Sequence, residues 1–186
     1  MSESMHGLKR THRCTELSAA NIGQEVVVMG WVQRRRNLGQ ILFITLRDRS
    51  GLLQLSFNEN TEKELFEKAE TLRSEYVIAA RGTVVSRGAD SNKSMQTGDI
   101  EIDAKELRIL SEAETTPFGI LENIDTKEEL RLKYRYLDLR RPDVQKNLIL
   151  RSKVTQSVRR FLEAEGFIEV ETPILQKSTQ KVLVIT

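Results

Sequence analysis

The chain has 186 residues, which is enough for one ordinary domain and part of another, or for two small domains. Hydrophobic residues make up 39% of it and charged residues 30%, a composition that indicates a folded chain and excludes an intrinsically disordered one. The net charge of +2 is too small to indicate nucleic-acid binding by the protein as a whole, so support for that function has to be local.

Cysteine and histidine usage argues against metal or disulfide chemistry. Cys14 is the only cysteine, which excludes an intramolecular disulfide and a cysteine-cluster metal site. His6 and His12 have no matching carboxylates or thiols, so we expect no metal ion.

The sequence has neither an apolar signal segment at its start nor a stretch near the roughly 20 apolar residues of a membrane span. These features predict a cytosolic protein without a membrane partner.

Residues 25–57 carry the pattern of three consecutive strands. The run EVVVMGWV, from Glu25 to Val32, is rich in β-branched residues. The runs QILFITLRD (40–48) and GLLQLSF (51–57) follow, joined by the turn-forming sequence DRSG. We therefore predict a three-stranded meander.

A helix and two more strands are predicted after the meander. Apolar residues recur at helical spacing in NTEKELFEKAETLRSE, where Asn60 or Thr61 would cap the helix. The segments 76–87 and 98–110 return to the strand period. Five short strands with a helix between the third and fourth match the OB-fold β-barrel, whose strands and loops bind single-stranded nucleic acid. The strand count alone leaves other small barrels open.

The sequence changes character after the fifth strand. Residues 111–129 are acidic and contain Pro117 and Gly119, which predicts a linker or hinge. A helix follows, with Pro142 near its start and Gly166 just past its end. Its apolar residues form an interrupted stripe that needs a packing partner.

Arginines cluster between the first and third strands. Five arginines and one acid, Asp48, lie between Arg34 and Arg49, and five positive charges less one negative charge give a local balance of +4. A guanidinium at the end of the first strand of an OB-fold can reach phosphates or base edges. A charged, solvent-exposed hairpin is the alternative, and spacing alone leaves both open.

Other strand residues are candidates for contacts with bases. An exposed ring at Phe43 or Phe57 could stack an unpaired base, although Phe43 fits the barrel core equally well. Gln54 lies between two leucines and could offer donors and acceptors to a base edge, or be a solvated strand residue. Glu101 could accept hydrogen bonds from a guanine or balance an arginine. Spacing cannot decide between these roles.

Three segments resemble a known enzyme family. They are GWVQRRRNLGQILFITLRDRSGLLQ, LRLKYRYLDLRRP and RRFLEAEGFIEVETPIL. Together they resemble bacterial-type aspartyl-tRNA synthetase, a class II aminoacyl-tRNA synthetase, from about Cys14 to Thr179. Relatives that activate lysine or asparagine share the barrel, but the triple arginine and YRYLDLRRP favour the aspartyl branch. The resemblance implies an OB-fold anticodon-binding domain at 1–112, a hinge at 113–141 and a truncated α/β catalytic-domain fragment at 142–186.

The resemblance also implies an anticodon site on the barrel. Six residues would form it: Arg34, Arg36, Phe43, Gln54, Arg87 and Glu101. The two arginines of the first strand would hold the anticodon loop, the phenylalanine would stack on the middle anticodon base, and the glutamine would read that base. The last two residues would lie near the first base. Leu38 stands where relatives that also charge the asparagine tRNA often have histidine, which favours strict specificity for the aspartate tRNA.

The third segment resembles class II motif 1, whose family role is dimerisation. The implied dimer-interface residues are Phe167, Glu171 and Pro173, within a strand FIEVE. The family binds ATP, magnesium and aspartate through motifs downstream of this one, and the sequence contains none of those motifs. We therefore expect a homodimeric aspartate-tRNA ligase by family, with no cofactor and no catalysis in this chain itself. A stand-alone, non-catalytic module that binds the tRNA anticodon is the alternative, and DNA is not an expected partner.

The sequence QKVLVIT, at 180–186, departs from a family segment that resembles PEGARDY. A nucleotide string that encodes Pro-Glu-Gly-Ala-Arg-Asp-Tyr yields Gln-Lys-Val-Leu-Val-Ile-Thr when it is read one base later. We therefore expect a one-base loss or a sequencing error near the codon of Thr179, and an aberrant tail without specific partners.

Overall fold

The computed structural model describes residues 2–175. The chain divides into two compact units, Met1–Phe118 and Gly119–Thr186. No helix within the described residues is long and apolar enough to cross a membrane. The tail at 180–186, for which we expect a frameshift, lies outside the described residues.

Five strands form a closed barrel in the first unit. They are β1 (Glu25–Asn37), β2 (Leu42–Arg47), β3 (Leu52–Phe57), β4 (Val77–Ser86) and β5 (Ile100–Ser111). Their order around the barrel is β1-β2-β3-β5-β4, and all neighbours are antiparallel except β3 and β5, which are parallel. Helix α1 (Lys63–Glu70) connects β3 to β4. The predicted OB-fold is confirmed.

Alternate residues of the strands fill the barrel. Leu42, Ile44 and Leu46 of β2 are fully buried, as are Leu53, Leu55 and Phe57 of β3. Ala69 and Leu72, from α1 and the turn after it, belong to the same apolar cluster. The suggestion that Phe57 stacks a base is therefore wrong, because its ring is part of the core.

Two predicted element ends are wrong, and both have a local cause. Strand β1 continues through the arginine run to Asn37, because the backbone of these charged residues pairs with β2. Helix α1 begins after Glu62, not after Asn60 or Thr61. The Thr61 hydroxyl instead accepts a hydrogen bond from the Asn58 amide at 2.9 Å, which closes the turn before the helix.

Short 3-10 turns connect parts of the barrel. They span Cys14–Glu16, Ala19–Asn21 and Gly88–Asp90. Before the first of them, Leu8 packs on the outside of the barrel against Val27, Met29 and Ala79. Glu3 binds the backbone of β5 in both directions, donating from its amide to the Ile109 carbonyl at 2.8 Å and accepting from the Ile109 amide at 2.6 Å.

The second unit contains three helices, α2 (Glu128–Lys133), α3 (Arg135–Asp138) and α4 (Pro142–Ala164). Pro142 begins α4, as predicted. Gly166 follows it with φ at 86°, and the Phe167 amide donates to the Leu162 carbonyl at 3.0 Å, which completes the predicted C-terminal stop. The predicted strand FIEVE is wrong, since residues 167–175 form no strand. A strand needs a neighbour for its backbone hydrogen bonds, and the described part of this unit offers none.

The segment for which we predict a hinge is held by a buried charge cluster. Asp138 is fully buried and lies 2.5 Å from Arg135, 2.9 Å from Arg141 and 3.8 Å from Arg131. Arg141 also donates from Nε to the Leu121 carbonyl at 3.1 Å. These contacts tie α2, α3 and the start of α4 together. The boundaries at 112 and 141 remain a prediction.

Candidate nucleic-acid interface

A β-bulge in β1 turns Arg34 and Arg36 toward the outside of the barrel. Val32 lies opposite Leu46, and Arg34 lies opposite the next residue of β2, Thr45, so Gln33 is an extra residue in β1. Without the bulge, Arg34 would keep the phase of Val32, which is fully buried. The extra residue therefore gives Arg34 and Arg36 an outward phase, opposite Thr45 and Phe43.

Phe43 lies on the outer face of β2, directly opposite Arg36. The guanidinium carbon of Arg36 is 5.7 Å from the centroid of the ring, which is a cation–π distance. Phe43 is half-buried, whereas its neighbours Leu42 and Ile44 are fully buried. The alternative that places Phe43 in the core is therefore wrong.

Side chains from all five strands line one open groove of about 550 Å³. The groove brings together all but one of the tRNA-contact candidates: Arg36, Leu38, Phe43, Gln54, Arg87 and Glu101. Arg34 does not line it and is exposed on β1 beside it. Residues that lie far apart in the sequence thus form one surface.

The floor of the groove is a polar trio. Gln54 donates from Nε2 to Glu101 Oε2 at 2.7 Å, and Arg87 Nε lies 3.7 Å from the same oxygen. Gln54 is only 4% exposed, so the alternative that makes it a solvated strand residue is wrong. Strand β3 runs beside β5, which brings the glutamine to Glu101 and removes it from water.

Arg87 is the strongest single indication of a ligand. Its side chain is only 9% exposed. Within residues 2–175, its Nε and Nη1 have no hydrogen-bond partner, because the contact with Glu101 is too long for a hydrogen bond. Buried donors without partners are unfavourable, so a groove that keeps them is suited to a ligand that supplies acceptors.

The exposed positive charge near the groove comes from fewer arginines than the sequence suggests. Arg34, Arg35 and Arg36 are exposed on β1. Arg47 is not exposed for binding a ligand, because its guanidinium is paired with Glu75 at 2.6 Å and both side chains are nearly buried. The three consecutive arginines therefore account for most of the basic character at this side of the barrel.

The turn between β2 and β3 is held by Asp48. Its carboxylate accepts from the Cys14 amide at 2.9 Å, from the Ser50 amide and hydroxyl at 2.7 and 2.6 Å, and from the Gly51 amide at 3.2 Å. Burial alone would raise the pKa of Asp48, but these hydrogen bonds outweigh burial, so its pKa lies below the ordinary value of 3.8. Burial raises the pKa of the Cys14 thiol, which is therefore unreactive.

Leu38 lines the groove, whereas Ser56 does not. Leu38 is 64% exposed at the rim, in the loop closed by the hydrogen bond from its amide to the Ile41 carbonyl at 2.9 Å. Ser56, opposite Phe43 on β3, is buried and donates to the Ile102 carbonyl at 3.3 Å. Ser56 therefore provides no second stacking surface.

Sequence reasoning missed three lining residues, Ile41, Ser86 and Asp90. Ile41 ends the loop after β1, and the other two lie where β4 passes into the Gly88–Asp90 turn. The sequence offers as a signal only that Ile41 and Ser86 lie at the ends of predicted strands and Asp90 in the polar loop that follows. Loops of this kind are common, so the signal is weak.

The three dimer-interface candidates lie in the second unit, in the coil after α4. Phe167, Glu171 and Pro173 are all exposed, Phe167 to 66%. Phe167 lines an apolar groove with Val158 and Leu162 of α4, and the other two candidates do not line it. The structure of the single chain therefore places these residues on the surface and leaves their role a prediction.

Comparisons with known families match both units. Residues 26–110 match the family described as "OB-fold nucleic acid binding domain". Residues 127–182 match the family described as "tRNA synthetases class II (D, K and N)". The two matches have the order and approximate extent of the barrel and of the helical unit.

Individual relatives are more specific. The chain is 63% identical to an aspartate-tRNA ligase from Agathobacter rectalis and 62% identical to an aspartate-tRNA(Asp/Asn) ligase from Lachnoclostridium phytofermentans. Each match covers 96% of this chain and 30% of the relative, so the chain spans about a third of their length. The solved structure of asparaginyl-tRNA synthetase from Pyrococcus horikoshii is similar at 27% identity, with a TM-score of 0.76 over 90% of this chain and 37% of that one.

The fold alone is shared with an asparaginyl enzyme, so the aspartyl assignment depends on the sequence identity. Both of the sequence relatives are aspartate-tRNA ligases, at more than 60% identity over nearly the whole chain. The chain is therefore similar over nearly its whole length to aspartate-tRNA ligases, and it matches the models of an OB-fold domain and of part of a class II synthetase domain.

Proposed function

We propose that the groove binds the anticodon loop of an aspartate tRNA. The observation that supports this most is the nearly buried Arg87, which lies beside the hydrogen-bonded Gln54–Glu101 pair. Among residues 2–175, nothing accepts a hydrogen bond from its Nε or Nη1. Donors and acceptors that converge in a groove beside an aromatic ring are what an unpaired base requires. The tRNA is the partner that the relatives' names indicate.

The proposed roles divide the surface into phosphate contacts and base contacts. Arg34 and Arg36, exposed on β1, bind phosphates of the loop. Phe43 stacks on the middle anticodon base and Gln54 reads it, while Arg87 and Glu101 contact the first base. This assignment follows the family resemblance and agrees with the grouping of these side chains around one groove.

Leu38 is proposed to favour the aspartate tRNA over the asparagine tRNA. It is exposed at the rim of the groove, where it can meet the edge of the anticodon. The relatives' names divide between aspartate-tRNA ligase and aspartate-tRNA(Asp/Asn) ligase, so similarity alone does not assign this specificity.

For the whole ligase we propose the family reaction, in which aspartate is activated with ATP and magnesium and transferred to the tRNA in the cytoplasm. We also propose a homodimer formed through Phe167, Glu171 and Pro173 together with α4. The exposed apolar residues of α4 support this, since such a surface favours association. They include Leu148, Val154, Val158, Phe161 and Leu162.

The groove between α4 and Phe167 does not fit ATP. It is lined mainly by apolar side chains, and the arginine in it, Arg159, is paired with Glu169 at 2.8 Å. A triphosphate needs several free basic or backbone donors. We therefore assign ATP and magnesium to the whole ligase and expect no charging by the 186-residue chain.

A binding measurement tests the proposal. The chain is titrated with the anticodon stem-loop of the aspartate tRNA at several salt concentrations, and we expect binding that weakens as salt rises, because arginine–phosphate contacts release counterions. The variant Arg36→Ala should bind more weakly, with a shallower salt dependence. The variant Arg73→Ala, a change on the barrel outside the groove, serves as the control. Binding that is absent, or equally tight to an unrelated stem-loop, would refute the proposal.

A charging assay tests whether this chain is catalytic by itself. A stand-alone anticodon-binding module is favoured by the closed barrel, which is a compact unit by itself. Binding without charging by the purified chain fits both a module and a part of a ligase. Charging by this chain would contradict our expectation that its catalytic residues are missing.

A further inference from the structure

The loop between β1 and β2 places two apolar side chains at the rim of the groove. Leu38 is 64% exposed and Ile41 is 39% exposed, and both line the groove. The Leu38 amide donates to the Ile41 carbonyl at 2.9 Å. Inside that turn, the Gly39 amide donates to Asn37 Oδ1 at 2.8 Å, and Gly39 has φ at 86°. The shape of the loop therefore depends on the Asn37 side chain.

Helix α1 holds the other end of the Asn37 side chain. Asn37 Nδ2 donates to Glu70 Oε1 at 2.7 Å. A carboxylate only accepts hydrogen bonds, so the amide nitrogen has to face Glu70, and Oδ1 is left to face the loop. Asn37 is the last residue of β1 and Glu70 is the last residue of α1, 33 positions further along the chain. One side chain thus connects the helix to the rim of the groove.

Glu70 is attached to a fixed part of the helix. Ala69, the residue before it, is fully buried in the barrel core. Lys68 donates from Nζ to the Leu107 carbonyl of β5 at 2.8 Å. At the last position of a helix the dipole disfavours a carboxylate, so helix stability does not account for Glu70. Its hydrogen bond to Asn37 gives it a role outside the helix.

We propose that Glu70 is a positioning residue for the β1–β2 loop. Through Asn37 it holds the loop in the conformation that presents Leu38 and Ile41 to the anticodon loop. A loop that is ordered before binding loses less conformational freedom on binding, which tightens the complex. Glu70 does not line the groove, so it acts without touching the RNA. This inference rests on the proposed binding of the anticodon loop and adds a residue of α1 to it.

A comparison of Glu70→Leu with Glu70→Gln tests the inference. Both variants lose the negative charge, so any electrostatic effect on RNA is the same in both, but only glutamine keeps an oxygen that can accept from Asn37. The variants are titrated with the anticodon stem-loop of the aspartate tRNA. We expect Glu70→Leu to bind roughly three- to tenfold more weakly than Glu70→Gln, with both folded in thermal unfolding.

The matched control is the pair Glu64→Leu and Glu64→Gln. Glu64 is exposed on the same helix and does not line the groove, so these two variants should bind equally. Equal binding by the two Glu70 variants would overturn the inference. So would a difference of the same size between the two Glu64 variants, because the effect would then not depend on the contact with Asn37.

An exchange of donor and acceptor provides a second test. The double variant Asn37→Asp with Glu70→Gln puts the carboxylate on the strand and the amide on the helix, so a hydrogen bond can form in the reverse direction. The double variant Asn37→Asp with Glu70→Leu has the same charge and cannot form it. We expect the first to bind the stem-loop roughly threefold or more tightly than the second. Equal affinities would overturn the positioning role.

A measurement without RNA separates this inference from the proposed function. In the free chain, hydrogen exchange of the Gly39 amide should be roughly threefold or more faster in Glu70→Leu than in Glu70→Gln, because the acceptor Asn37 Oδ1 is no longer fixed. Equal exchange in the two variants would overturn the inference. If the unsubstituted chain does not bind the stem-loop, the proposed function fails, and the exchange rates still decide whether Glu70 holds the loop.

Discussion

Phe43 shows how one side chain can belong to a surface although its strand fills a core. Its neighbours on β2 are fully buried, and the ring itself lies half-buried beneath the Arg36 guanidinium. This arrangement costs little to maintain without a ligand, because the cation–π contact covers part of the ring. A base that stacks on the ring can keep the arginine as a phosphate or base contact.

We expect Phe43→Leu to weaken binding of the anticodon stem-loop by roughly 1–3 kcal/mol, because leucine keeps the apolar bulk but has no aromatic face. Phe43→Tyr keeps the ring and should bind nearly as well as the parent chain. Fluorescence titration measures both, and thermal unfolding confirms that the variants are folded. Equal binding by Phe43→Leu would remove Phe43 from the interface.

The Gln54–Glu101 pair illustrates what single residues in the sequence do not reveal. The alternation on β3 correctly separates Gln54 from the leucines beside it. The glutamine is buried because β3 pairs in parallel with β5. Its partner Glu101 lies 47 positions further along the chain. Arg47 is a similar case, since its partner Glu75 lies 28 positions away and removes it from the basic surface.

Among the elements, the turn between β2 and β3 depends on one carboxylate. Asp48 satisfies three backbone amides and a hydroxyl, and through Cys14 it attaches the N-terminal segment to the barrel. Because hydrogen bonds to the charged form lower its pKa, its contribution to stability is fully present above pH 3.8 and is lost as pH falls through the folded-state pKa.

We therefore expect Asp48→Asn to lower the free energy of unfolding at neutral pH by about 1–3 kcal/mol. The difference from the parent chain should shrink in acid, because the parent loses the same charged hydrogen bonds there. Urea denaturation at neutral and acid pH measures this, with the exposed Glu59→Gln as the control. A difference that is constant or grows in acid would contradict the role of the ionised carboxylate.

The element boundaries show where local patterns are sufficient and where they are not. Pro142 and Gly166 act within one turn of helix, so the ends of α4 follow from the sequence. The bulge at Gln33 and the missing strand at 167–171 depend on which strands lie alongside, and periodicity carries no information about that. The family resemblance named most of the groove residues but could not indicate that Arg34 lies outside it.

At the scale of the whole molecule, the two units differ in how well they bury their apolar residues. The barrel has a closed core of fully buried side chains. On α4, Val154, Val158 and Phe161 are exposed to more than half. Apolar surface on this scale favours association with another copy or with further chain.

We expect the 186-residue chain to self-associate as its concentration rises, and Val158→Lys to raise the dissociation constant roughly tenfold or more, because it places a charge in the apolar face. Gln156→Lys adds the same charge two residues earlier, on the opposite side of the helix, and should have little effect. Sedimentation velocity measures both. A monomer at all concentrations, or equal effects of the two lysines, would show that this face is not the contact.

The bulge in β1 limits the insertions and deletions that this strand can tolerate. Insertions and deletions are usually tolerated at the surface, and Gln33 is followed by exposed residues. Removing this one residue would nevertheless exchange the inward and outward positions of everything after it, so that Arg34 would turn toward the core. The spacing between Val32 and the arginines is therefore as strict a requirement for the proposed recognition as the arginines themselves. A protein that keeps all the proposed contact residues but has one residue fewer here would present a different surface.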